Sequence, residues 1–63
     1  MYPHLDSLLA GGKHGMHILY HDSEVVVKLF TIGNPQPLVS CSGDTVHAAL
    51  VNLDISIRDG GFQ

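Results

Sequence analysis

The run from Met16 to Ile32, MHILYHDSEVVVKLFTI, limits the folds open to this chain more than any other stretch. In its first part Met16, Ile18 and Tyr20 alternate with His17, Leu19 and His21. In its second, Val25, Val27 and Leu29 fall on one face and Val26, Lys28, Phe30 and Ile32 on the other. β-Branched and aromatic residues read at a period of two are strand formers, and the polar HDSE between them is turn-forming. The run therefore predicts a β-hairpin. Its second strand is apolar on both faces, so a single covering helix leaves one apolar face over.

The flanking segments supply the rest of the architecture. In YPHLDSLLAGG, Pro3 opens a helical turn, Leu5, Leu8 and Leu9 sit at helical spacing, and Gly11 and Gly12 end it. GNPQP breaks the sheet after the hairpin, and LVSCS follows as a third strand. The segment CSGDTVHAALVNLDI fits two templates. Read as a helix capped by Asp44 or Thr45, it puts Val46, Ala49, Leu50, Leu53 and Ile57 on one stripe. Read as a strand, Val51, Leu53, Ile55 and Ile57 alternate with Asn52, Asp54, Ser56 and Arg58. The cap and the Ala-Ala-Leu centre favour helix through about Ile57; the rival is a shorter helix followed by a fourth strand. The expectation is one α+β domain over residues 1 to 63: a short N-terminal helical turn, a three-stranded antiparallel sheet, and one main C-terminal helix packed on it.

A chain of 63 residues buries only roughly 60% of the surface its unfolded form exposes. Its lone cysteine, Cys41, forms no internal disulfide and fits a reducing compartment. With 44% apolar and only 14% charged residues, some surface is expected to meet a second copy or a partner, and a homodimer is anticipated. The net charge of -3, with Lys13, Lys28 and Arg58 scattered, argues against nucleic acid as a direct ligand. Protonation of all five histidines would bring that charge to +2, so binding should respond to pH. No stretch has the roughly 20 apolar residues of a membrane span. The N-terminus carries no basic segment of the kind that precedes a secretory signal, so a cytoplasmic location is expected.

The strand order followed by Gly-Asp-Thr opening an alanine-bearing helix resembles the HicB family of antitoxins. The matching residues are Pro37, Cys41, Gly43, Asp44, Thr45, Ala49 and Asn52, within about residues 16 to 53. Small phage-encoded proteins with a ββα core share the outline. The resemblance implies a homodimer that binds and masks a protein target, often a ribonuclease toxin, without catalysis of its own. Ala48 stands where that family usually has an acidic residue closing a capping box, and the chain stops at Gln63 without the family's usual C-terminal DNA-binding segment, so operon repression is not expected.

A second pattern points elsewhere. Gly15, Met16 and His17, then Gly43, Thr45, Leu50, Ile55 and Ser56, follow an order similar to that of HicA-type toxins, which would make His17 a general acid or base for RNA cleavage. Those toxins are basic in order to hold RNA, and this chain is acidic. The i, i+3, i+7 spacing of His14, His17 and His21 would suit zinc on a helix, but the surrounding residues are β-prone. On a strand His17 and His21 stand about 13 Å apart, too far for one metal. Cys41 has His47 as its nearest histidine in sequence and reads as a structural thiol. Ser40, Ser42 and Thr45 lack a nucleophile elbow.

The leading expectation is therefore a non-enzymatic inhibitor, antitoxin-like or anti-CRISPR-like and encoded by a phage or mobile element. It would occlude a basic, nucleic-acid-handling protein through Asp22, Glu24, Asp44 and Asp54, with no metal or cofactor. A HicA-like ribonuclease using His17, or a purely structural assembly subunit, are the alternatives.

Overall fold

The computed structural model describes residues 1 to 60. Along the chain it forms α1 (Pro3–Ala10), β1 (His14–His21), β2 (Glu24–Thr31), β3 (Pro37–Gly43) and α2 (Val46–Arg58). The strands make one antiparallel sheet in the order β1-β2-β3, with both helices on the same side of it. This is the α+β arrangement expected from the sequence. The ambiguous segment is helix through Arg58, with no fourth strand among the described residues.

The hairpin closes through a loop of only two residues, Asp22 and Ser23, since His21 pairs with Glu24. Asp22 takes φ 56°, a left-handed conformation that aspartate tolerates and that two-residue hairpins require. In the central strand Val25, Val27 and Leu29 are essentially fully buried, and Ala49 and Leu53 of α2 pack onto them with Leu5 of α1. The odd-numbered positions of β2 thus carry the core. Between β2 and β3 the register shifts after Leu29, which pairs with Val39 while Phe30 pairs with Pro37. The extra residue, Leu38, joins Val39 in packing against the core.

Two contacts seat α2. Thr45 is the N-cap, its hydroxyl oxygen accepting from the Ala48 backbone N–H at 3.1 Å. Asn52 Nδ2 donates to the Ser42 carbonyl at 2.7 Å, fastening the middle of the helix to β3. Cys41 is half-buried beneath the helix, its Sγ 3.5 Å from Ser56 Oγ. His47 is engaged elsewhere, hydrogen-bonding Tyr2 Oη through Nδ1 at 2.6 Å.

α1 has no cap of its own, because Tyr2 at its N-cap position offers no side-chain bond and Pro3 fills the first turn. Asp54 of α2 supplies the cap instead, Oδ1 accepting from the backbone N–H groups of His4 and Leu5, both at 2.9 Å. Pro3 has no N–H, so the carboxylate meets two of the three backbone donors this helix start leaves free. At the other end Gly12, at φ 77°, takes the left-handed turn out of the helix. Replacing Asp54 with alanine should cost about 0.5–2 kcal/mol. Asparagine, which keeps one acceptor oxygen, should lose less. Urea midpoints for the two variants check the order, and equal midpoints for Asp54→Ala and the wild type would reject the cap.

Candidate protein-binding surface

With both helices on one side, the opposite face of the sheet is bare. The register puts His17, Leu19 and His21 of β1, Glu24, Val26, Lys28 and Phe30 of β2, and Ser40 and Ser42 of β3 on it. Val26, Lys28 and Phe30 are half-buried by their neighbours alone, and Leu19 is 45% exposed. The His17 ring stacks at a tilt on Phe30, centroids 4.6 Å apart, and Lys28 is its direct cross-strand neighbour. Beside this pair, next to the β2–β3 loop, lies an open cleft of about 550 Å³ lined by Gly15, Met16, His17, Phe30, Ile32 and Pro35 among others. Ile32 at its lip is 65% exposed.

Of the four acids singled out from the sequence, the fold gathers three. Asp22 is in the hairpin loop, Glu24 starts β2, and Asp44 follows Gly43, which pairs with Val25. All three are exposed at one end of the sheet. Lys13, just before β1, lies at the opposite end. His21 Nε2 approaches Asp22 at 3.6 Å, a fully wet contact that leaves the acidic end open to other partners. Asp54 is not part of this group: it is half-buried and held by α1.

Sequence reasoning found the bare face through the two-sided apolar pattern of β2, but it missed how much of β1 lies outside the core. Ile18, Leu19 and Tyr20 are consecutive and exposed, at 41%, 45% and 74%. The available signal was helix length. A 13-residue helix spans about 20 Å along one line, and α2 lies over β3 and β2, leaving the far half of β1 uncovered. Among the described residues no three His, Cys, Asp or Glu side chains come together as a metal-holding group. No helix there is long and apolar enough to cross a membrane.

No protein-family model matches the chain, and no curated protein or solved structure is detectably similar to it.

Proposed function

We propose that this chain is a non-enzymatic protein-binding inhibitor, antitoxin-like or anti-CRISPR-like, that occludes the basic surface of a nucleic-acid-handling protein. The observation that carries the reading is the bare sheet face, where Leu19, Val26 and Phe30 lie uncovered beside the exposed acidic end formed by Asp22, Glu24 and Asp44. Lys28 is a cation within this face, but the three acids gathered at its end fit a partner of opposite sign: they steer the encounter and the apolar side chains hold it. The HicB resemblance of residues 16 to 53 points to the same class, as does the net charge of -3.

The test is capture from lysate of the native host on immobilised chain. A nucleic-acid-handling protein should be retained, and the purified chain should displace nucleic acid from it. Reversing Asp22, Glu24 and Asp44 to lysine should weaken that retention about tenfold or more, equivalent to roughly 1.4 kcal/mol. Reversing Asp6 and Asp59, which lie outside the acidic end, should leave it unchanged. If the captured protein handles no nucleic acid, or the triple variant captures it equally well, the reading fails.

The second reading, a HicA-like ribonuclease, is favoured by one observation: His17 stands on a strand, on the bare face, next to Lys28 with Ser40 one strand further on. RNA cleavage by the purified chain that His17→Ala abolishes would select it over the inhibitor.

A further inference from the structure

We propose that the free edge of β1 pairs antiparallel with β1 of a second copy of this chain, joining two three-stranded sheets into one of six strands. The Ile32 N–H donates to the Lys13 carbonyl at 2.9 Å, in line with the register that pairs His14 with Thr31. Hydrogen-bonded and non-bonded pairs alternate along an antiparallel ladder. It follows that Gly15, His17, Leu19 and His21 exchange bonds with β2, while the backbone groups of His14, Met16, Ile18 and Tyr20 point outward from the edge.

Edges of this kind are normally blunted by lysine, proline, a bulge or a covering side chain. The other edge of this sheet has three such devices. β3 begins at Pro37, carries the irregularity at Leu38, and has its Ser42 carbonyl occupied by Asn52. β1 reads HGMHILYH, with no lysine, proline or bulge, and among the described residues no side chain hydrogen-bonds to it. One edge is guarded and the other is open, and the open one exposes Ile18, Leu19 and Tyr20 in succession.

The strand is complementary to itself. A two-fold axis through Ile18 sets Ile18 against Ile18 and Met16 against Tyr20 of the second copy, with the outward backbone groups in bonding pairs. It also brings His14 opposite Asp22 of the second copy. The eight residues of β1 include no Asp, Glu, Lys or Arg, so two chains of net charge -3 meet there without like charges in contact. A basic target is drawn instead to the acidic end, of which only Asp22 borders the new ladder while Glu24 and Asp44 lie on β2 and beyond β3. The dimer stands or falls independently of the inhibitor reading.

Light scattering at sub-millimolar concentration should give twice the 6.8 kDa chain mass. Ile18→Lys, an edge lysine at an already exposed position, should give a monomer with an unchanged far-ultraviolet spectrum. Ile32→Lys, on the cleft lip away from the edge, should remain a dimer. Tyr20→Lys repeats the edge test if Ile18→Lys fails to fold. In the wild type, amide exchange at Met16, Ile18 and Tyr20 should be slow and should speed up on dilution. A monomeric wild type, a dimeric edge variant, or a dimer that Ile32→Lys alone dissociates would each overturn the proposal.

Discussion

Leu53→Ala should lower the unfolding free energy by about 2–5 kcal/mol, as deletion of a buried leucine side chain does. Leu53 is completely buried and lies in the cluster of Leu5, Val25, Val27, Leu29 and Ala49 that forms the core. Among the described residues six apolar side chains are buried in that core, so Leu53 is a large share of it. A domain of this size has a total stability on the order of 5 kcal/mol, so the variant should keep only about 0–3 kcal/mol and unfold at much lower denaturant. Leu53→Met, which nearly conserves volume, should cost under about 1.5 kcal/mol and retain a cooperative transition. Denaturant titration of both variants decides the matter: a Leu53→Ala protein as stable as Leu53→Met would mean that α2 does not seat on the sheet through this residue.

Gly43→Ala should cost about 1–3 kcal/mol through overpacking. A Cβ at position 43 would lie 2.7 Å from the Ala49 backbone nitrogen and 2.9 Å from both the carbonyl carbon and Cβ of Ala48. Two of those three atoms belong to the helix backbone, so no side chain can swing aside and α2 itself must lift from β3. Gly43 does not need a left-handed backbone, so the penalty is steric. The expected signature is a lower thermal midpoint together with faster amide exchange in the first turns of α2. An unchanged midpoint would show that the helix end has room to move.

That contact gives physical content to the Gly-Asp-Thr stretch. Glycine allows close approach, threonine caps, and Ala48 and Ala49 keep the contacting helix surface small. The cap was legible in the sequence because capping depends on residues three apart. The close approach was not, because it depends on how near α2 comes to a particular residue of β3. The helix-or-strand conflict over residues 52 to 58 is resolved by burial: Leu53 and Ser56 turn inward while Ile55 is 39% exposed, which is a helical period. A strand would have put Leu53 and Ile55 on the same side. β2 was legible in full because its alternation runs unbroken, whereas β1 begins at His14, two residues before the apolar alternation does.

The candidate surface was legible in part. Pattern alone indicated an apolar face left uncovered, and Asp22, Glu24 and Asp44 lie together because the hairpin loop and the end of β3 share one end of a meander. Asp54 resembled the other acids only while its neighbours were unknown. Its partners are 49 and 50 residues away, beyond any local rule.

The link from Asp54 to the start of α1 also makes one helix conditional on the other. An eight-residue helix is too short to persist in water unaided. Its two first-turn donors are met by a carboxylate on the other helix, so α1 depends on α2 for its start and should be lost whenever α2 is displaced from its seat.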